Sequence, residues 1–210
     1  MTRGTVASSQ ETDSEILRKI TRAIGNVPKA VYAPSDDSYL MLEAIAKLPI
    51  TGKKVLDLGT GSAILVLFCA MRGAHVTVTD VEETALRRAI QVAETLGLRV
   101  ETVLSDVFSN VRGLFDVILF NPPYLPSLTV EDRTVDGGQG GVALSVLFLD
   151  GLPDHLTRGG TALLLVSSLN DAESLIRGYP AFQFSVMGKR VFFFEELRVL
   201  RVRFRDGFTS

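Results

Sequence analysis

A short apolar run, Lys54–Leu58, leads into the segment Gly59-Thr60-Gly61-Ser62, and an apolar stretch of helical length follows from Ala63. Strand, glycine turn and helix in this order begin a βαβ unit, in which the glycines let the backbone turn sharply and approach a ligand. Such a unit predicts a parallel sheet with helices on its faces. A chain of 210 residues is long enough to cover both faces of that sheet within one domain.

The rest of the chain continues this alternation of apolar runs and helix-like stretches. Near-continuous apolar runs are typical of strands buried on both faces. No helix separates Phe182–Met187 from Leu197–Phe204, so we expect these two strands to pair antiparallel. The sequence therefore predicts an α/β fold, a doubly wound, mostly parallel, seven-stranded Rossmann-like sheet with an antiparallel C-terminal hairpin. The remaining strands are predicted at Lys54–Leu58, His75–Thr79, Val100–Leu104, Phe115–Phe120 and Thr161–Val166.

The composition narrows the domain organisation and the class of protein. Residues 1–13 are polar and small, which predicts a disordered tail before a single domain over residues 14–210. No apolar run is long enough for a signal peptide or a membrane span, so we expect a cytoplasmic protein without membrane contact. The single cysteine, Cys69, lies in an apolar stretch and excludes both a disulfide within the chain and a cysteine-rich zinc site. We expect no bound metal.

Three aspartates stand at the carboxyl ends of three successive predicted strands, at the edge of the sheet where ligands bind in open α/β folds. Asp57 precedes the glycines, where its charge suits an ammonium group and repels a pyrophosphate. Asp80 stands about 20 residues on, where an acid meets ribose hydroxyls in such folds. Asp106 ends the third strand and could accept a hydrogen bond from an adenine amine. With the helix N-terminus available for a carboxylate, the predicted ligand contains an amino-acid moiety.

The fourth strand runs directly into Asn121-Pro122-Pro123-Tyr124. A conjugated NH₂ group is a poor nucleophile because its lone pair is delocalised. The Asn121 carboxamide oxygen and the Pro122 carbonyl can each accept one N–H, which aims the lone pair at a sulfonium methyl group and stabilises the charge that develops on nitrogen. Tyr124 offers a flat face to the planar group. These residues indicate methyl transfer from S-adenosylmethionine, which depends mostly on proximity and orientation.

With these motifs the sequence resembles the HemK/PrmC family of N5-glutamine methyltransferases, particularly its short archaeal–eukaryotic branch. The resemblance spans about Val31 to Phe204. It is carried by Val31-Tyr32-Ala33-Pro34-Ser35-Asp36-Asp37-Ser38, the Asp-x-Gly-x-Gly loop, Asn-Pro-Pro-Tyr and Gly137-Gly138-Gln139-Gly140-Gly141. It implies methylation of the glutamine side-chain amide in the Gly-Gly-Gln motif of a peptide-chain release factor.

By matching position, the resemblance also implies roles for individual residues. The cofactor would be bound by Asp37, Ser38, Asp57, Gly59, Gly61, Asp80, Asp106 and Asn121, and the substrate amide by Asn121, Pro122 and Tyr124. The chain departs from the family at Ala63, which replaces a glycine, and at Asp136, which replaces an aromatic residue before the glycine-rich segment. We interpret that segment as a flexible lid, and its own Gly-Gly-Gln as coincidence.

The short branch typically works with a small zinc-binding activator protein. If the strand order is that of methyltransferases, the strand Arg99–Leu104 forms a sheet edge whose apolar Val100, Val103 and Leu104 could accept a partner strand. An ordinary short edge protected by the charges of Arg99 and Glu101 is the alternative.

Other functions stay open at this stage. The same asparagine geometry serves an adenine amine in DNA or RNA, although the formal net charge of −2 argues against nucleic acid. Some members of the branch resemble protein lysine methyltransferases in activity. A non-catalytic scaffold is a third class, against which the intact Asn121 and cofactor acids argue.

Overall fold

The computed structural model describes residues 11–27, 31–123, 142–205 and 207. Within these residues, seven strands form one sheet in the order β3-β2-β1-β4-β5-β7-β6. The strands are β1 (Lys54–Leu58), β2 (His75–Asp80), β3 (Glu101–Leu104), β4 (Phe115–Phe120), β5 (Leu156–Ser167), β6 (Phe182–Val191) and β7 (Glu196–Phe204). The helices are α1 (Asp13–Ile24), α2 (Asp36–Ile45), α3 (Ile64–Met71), α4 (Glu83–Thr95), α5 (Ala143–His155) and α6 (Ala172–Gly178).

The sheet confirms the predicted fold. β1 to β5 pair in parallel, whereas β7 pairs antiparallel with both β5 and β6. β7 therefore lies between β5 and β6, and β3 forms the opposite edge, as the sequence predicted. Because β1 to β4 are parallel, their carboxyl ends meet at one edge of the sheet.

The near-continuous apolar strands are explained by burial on both faces. Side chains alternate across a strand, so Val55 packs with the helices on one face and Leu56 with those on the other. Both side chains are fully buried. Helices α1 to α4 contribute to the first apolar cluster, and α5 and α6 contribute to the second. Each inner strand must therefore be apolar at consecutive positions.

The element boundaries differ from the prediction mainly in the C-terminal half. β5 begins directly after α5, which contains Pro153, and it is longer than predicted at both ends. β6 extends to Val191 through a register shift between Val186 and Gly188. A β-bulge of this kind adds one residue and interrupts the alternation of side chains, and the predicted strand ended at Met187, within this irregularity.

The N-terminal helix begins at the end of the predicted tail. Thr12 and Glu15 form a capping box, in which Thr12 Oγ1 accepts from the Glu15 N–H at 3.3 Å and Glu15 Oε2 accepts from the Thr12 N–H at 2.9 Å. Residues 1–10 lie outside the described part of the chain. None of the helices in the described ranges combines the length and apolar character that crossing a membrane requires.

Candidate active site

The loop after β1 is shaped by residues with positive φ. Gly59 and Gly61 have φ values of 64° and 49°, and a Cβ atom added at Gly61 would lie 3.2 Å from Cβ of Tyr32. The segment before α2 therefore packs directly on the loop. Ala63, where the resemblance led us to expect a glycine, also adopts the left-handed region at φ 64°. That conformation costs a residue with a Cβ about 1–2 kcal/mol, a cost that glycine would avoid.

Two buried carboxylates face this loop. Asp57 is 1% exposed, and its Oδ2 accepts from Thr60 Oγ1 at 2.9 Å. Burial, with a smaller contribution from nearby Asp80, raises the pKa of Asp57 to about 7, although the Thr60 hydrogen bond opposes the shift. Asp80 accepts from the Gly61 N–H at 3.1 Å, and burial raises the pKa of its carboxyl too. Two buried acids close together favour a cationic ligand.

A second buried acid network joins α2 to the end of β4. Asp37, in the first turn of α2, is 1% exposed and accepts hydrogen bonds at both carboxylate oxygens. Its Oδ2 accepts from Tyr32 Oη at 2.6 Å and from Asn121 Nδ2 at 3.1 Å. Its Oδ1 accepts from Ser35 Oγ at 2.7 Å and from both the N–H and the hydroxyl of Ser38. The structure thus brings together two predicted site residues, Asp37 and Asn121.

This network fixes the orientation of the Asn121 amide. A carboxylate only accepts hydrogen bonds, so the NH₂ group of Asn121 must face Asp37 and the amide oxygen must face away. That oxygen, Oδ1, is buried and has no hydrogen-bond partner among the described residues. A buried acceptor without a donor is unfavourable unless a bound molecule supplies one. Asn121 Oδ1 is therefore ready to accept an N–H group.

The remaining predicted site residues lie at the same edge or outside the described part. Pro122 is buried directly after Asn121, and Ser38 is buried beside Asp37. Asp106 is exposed beyond the end of β3, where its N–H donates to Ser109 Oγ at 3.2 Å. Tyr124, Asp136 and the glycine-rich segment Gly137–Gly141 lie outside the described residues.

The prediction from sequence assigned no role to Tyr32 or Thr60. Tyr32 covers Gly61 and donates to Asp37, so it links the loop to the Asn121 network. Thr60 donates to Asp57 three residues before it. A hydroxyl within three residues of a buried acid is the sequence signal that could have found Thr60, whereas the contact of Tyr32 with Gly61 is long-range and gives no such signal.

Comparison with known proteins places this geometry in context. Residues 35–179 match the family model described as "Methyltransferase small domain". A provisionally named protein N5-glutamine methyltransferase of Methanocaldococcus jannaschii is 35% identical over 181 residues, which cover 81% of this chain and 90% of that protein. The release factor glutamine methyltransferase of Moorella thermoacetica is 33% identical over 159 residues, which cover 68% of this chain. The chain spans 56% of the length of the latter protein.

Solved structures agree with the fold. The E. cuniculi Mtq2-Trm112 complex, described as responsible for methylation of the eRF1 translation termination factor, matches at a TM-score of 0.69 and 23% identity. The match covers 84% of this chain and 99% of that chain. The T. thermophilus 16S rRNA N2 G1207 methyltransferase, in complex with AdoMet and guanosine, matches at a TM-score of 0.65 and 22% identity over 85% of this chain and 45% of that chain.

Proposed function

This chain belongs to the methyltransferase small domain family and, within it, to the HemK/PrmC-type protein N5-glutamine methyltransferases, and on that premise we propose its substrate and cofactor. The methyl donor is S-adenosylmethionine, and the acceptor is the side-chain amide of the glutamine in the Gly-Gly-Gln motif of a peptide-chain release factor. The observation that carries the proposal is the buried, unpartnered Oδ1 of Asn121 at the carboxyl end of β4. We expect the enzyme to act in the cytoplasm.

The residues of the crevice suit this cofactor. Asp57 would pair with the ammonium group of the methionine moiety, and Asp80 would accept from the ribose hydroxyls. Both acids have raised pKa values because of burial, so a cation or a hydroxyl donor would relieve an unfavourable arrangement. Gly59, which is exposed and has no side chain, leaves its backbone accessible to the ligand, and Gly61 would complete the loop around it. Asp106 would accept from the adenine amine, and Asp37 and Ser38 complete the predicted contacts.

The chain's own groups would then orient the acceptor amide. S-adenosylmethionine, when bound, supplies an electrophilic methyl group on a sulfonium. Asn121 Oδ1 and the Pro122 carbonyl would each accept one N–H of the substrate NH₂, so that its lone pair faces the methyl group. The same two acceptors stabilise positive charge that develops on nitrogen. Tyr124 would stack on the planar amide.

A small zinc-binding activator protein would dock on the β3 edge, at Arg99–Leu104. β3 is the outermost strand on its side, and Leu104, its last residue, is about half exposed. Val100 and Val103 line a groove of about 990 Å³ along this edge. An unpaired strand edge with apolar side chains is suited to pairing with a partner strand.

The experiment that tests the function offers one methyl donor to several acceptors. The purified protein, with and without a candidate zinc-binding partner, is incubated with labelled S-adenosylmethionine and a release factor, its Gln→Ala variant, or total RNA. Label on the intact factor alone supports glutamine methylation. Label on RNA, or equal label on the Gln→Ala factor, would overturn the proposed substrate and favour an adenine-amine or lysine methyltransferase.

The docking proposal is tested separately, by binding. In the variant Leu104→Glu we expect the partner to lose at least tenfold in affinity, since a charge replaces apolar contact area. Val186→Glu, on the opposite edge strand β6 and similarly exposed, is the matched control. Equal affinities for the wild type and Leu104→Glu would overturn docking at this edge.

A further inference from the structure

The connection between β6 and β7 carries a feature that the proposed chemistry does not use. Phe193 and Phe194 are 91% and 82% exposed, and their rings contact each other edge to face with centroids 4.5 Å apart. Val191, at the end of β6, is 66% exposed. A contiguous exposed apolar patch is unfavourable in water and commonly marks an interaction site. We call residues 191–194 the aromatic tip.

Turn formation does not account for these phenylalanines. A hydrogen bond from the Phe192 N–H to the Glu195 carbonyl, at 2.7 Å, closes the hairpin and leaves Phe193 and Phe194 as a two-residue loop. Loops of this length favour glycine, asparagine and aspartate, because those residues adopt turn conformations easily. Two bulky aromatic residues there contribute neither to the turn nor to either apolar cluster.

The aromatic tip lies at the same edge of the sheet as Asn121. β4 and β5 are parallel, with Phe120 opposite Leu164, and β5 continues to Ser167, which pairs with Leu197 of β7. The hairpin therefore extends beyond the carboxyl ends of β4 and β5. A strand spacing of about 5 Å and a rise of about 3.3 Å per residue place the tip roughly 15–20 Å from Asn121. Five or six extended residues, at about 3.3 Å each, span that distance.

Contacts at the base of the hairpin connect it to the site. Arg190 binds Oδ1 of Asp36 and Oε1 of Glu43, each at 2.7 Å, and also the Asp36 carbonyl at 3.2 Å. Asp36 immediately precedes Asp37, which holds the Asn121 amide. On the other side, Ser167 Oγ donates to Glu195 Oε1 at 2.6 Å. A paired guanidinium with several acceptors restricts geometry, so the base of the tip is held relative to the catalytic residues.

We propose that the aromatic tip binds the polypeptide that flanks the methyl-accepting glutamine in the substrate protein. This inference rests on the proposed function. A Gly-Gly-Gln motif offers one side chain, and that side chain is consumed by the amide site, so affinity for the protein must come from contacts outside the motif. Phenylalanine rings supply large contact area at low conformational cost, as in other interfaces. Arg190 pairs with both Asp36 and Glu43, which leaves one net negative charge at the base of the tip and the rings as its exposed apolar feature.

The test compares variants that differ only in the aromatic tip. Phe193→Ser/Phe194→Ser removes the rings, Phe193→Tyr/Phe194→Tyr keeps them, and Leu147→Ser removes an exposed apolar side chain of α5 as the matched control. Binding of a fluorescent Gln→Ala release factor is measured by anisotropy, in the presence of the activator if transfer requires it. KM and kcat are measured with the intact factor, and cofactor affinity by calorimetry.

For the serine double variant we expect Kd and KM for the factor to rise at least tenfold, with kcat and cofactor affinity within twofold of the wild type. The tyrosine variant and Leu147→Ser should match the wild type. If the wild type binds and methylates the factor and the serine variant does so equally well, the tip proposal alone is overturned. A wild type that is a dimer, converted to monomers by the serine substitutions, would also overturn it in favour of a second copy of the chain. Failure of the wild type to bind or methylate the factor would overturn the proposed function and this inference with it.

Discussion

Asn121 Nδ2 donates to Asp37 Oδ2 over 3.1 Å, and this contact joins residues 84 positions apart in the chain. It connects the first turn of α2 to the segment after β4. Because Asp37 accepts only, the contact sets which atom of the Asn121 amide faces the crevice. From the sequence, Asp37 was predicted to contact the cofactor. Its hydrogen bonds give it a further expected role, as a positioning residue for Asn121.

The variant Asp37→Asn tests this positioning role. An amide at position 37 has one acceptor oxygen for the five donors that now converge on the carboxylate, so Asn121 loses its fixed partner. A hydrogen bond to a charged group contributes about 1.5–3 kcal/mol, which corresponds to a loss in kcat of roughly 10- to 100-fold. Steady-state kinetics and calorimetric cofactor titration measure the two effects separately. A weaker cofactor affinity at unchanged kcat would contradict positioning and support direct cofactor contact alone.

Removal of the amide itself should have a larger effect. We expect Asn121→Ala to lower kcat at least about 10²–10³-fold, since it deletes an acceptor that stabilises developing charge. Cofactor affinity should be largely retained, because Asp57 and Asp80 are unchanged. Single-turnover transfer from labelled S-adenosylmethionine gives the first quantity and calorimetry the second. Transfer by this variant at the wild-type rate would refute the proposed mechanism.

The sequence predicted those features that depend on local pattern. Apolar runs of strand length predicted the strands of the sheet. Because the carboxyl ends of parallel strands meet at one edge, Asp57 and Asp80 were expected close together, and the structure places them so. The missing helix between β6 and β7 predicted their antiparallel pairing. These features follow from side-chain periodicity and chain direction alone.

The contacts of the segment before β1 could not be predicted in the same way. The position of α2 depends on its contact with β6. Leu40 of α2 packs closely on Gly188 of β6, where an added Cβ would lie 3.2 Å from Leu40 Cδ1. That contact in turn depends on the bulge beside Gly188. Local propensity carries no information about such long-range packing, so neither the Asp37–Asn121 hydrogen bond nor the position of Tyr32 over Gly61 was foreseen.

The raised pKa of Asp57 predicts a pH-dependent stability. The folded protein binds this proton up to about pH 7, whereas the unfolded chain releases it near its ordinary value of 3.8. Between these values the folded state holds more protons than the unfolded state, so the contribution of Asp57 lowers the free energy of unfolding as pH rises. The variant Asp57→Asn lacks this contribution.

We therefore expect Asp57→Asn without ligand to match the wild type near pH 4, to become progressively more stable than the wild type as pH rises to about 7, and to keep a constant advantage above that pH. The difference should be on the order of 1–4 kcal/mol, at about 1.36 kcal/mol per pH unit. Urea denaturation at several pH values measures it. The same variant should bind S-adenosylmethionine more weakly, since the ammonium group loses its partner. A stability difference that does not change with pH would contradict the assignment.

Gly61 and Gly97 provide a matched pair for the close packing of the cofactor loop. Both have positive φ, 49° at Gly61 and 68° at Gly97. A Cβ added at Gly61 would lie 3.2 Å from Cβ and 3.3 Å from the carbonyl oxygen of Tyr32. A Cβ added at Gly97 would meet no described atom within 4 Å. Gly97→Ala should therefore cost only the left-handed strain, about 1–2 kcal/mol. Gly61→Ala should cost roughly 1–3 kcal/mol more, in the range of overpacking, and should displace Tyr32 from Asp37. Of the two variants, we expect only Gly61→Ala to reduce methyl transfer. Urea denaturation measures the unfolding free energies and a transfer assay the activities. If both quantities were equal in the two variants, Tyr32 would not pack on this loop as described.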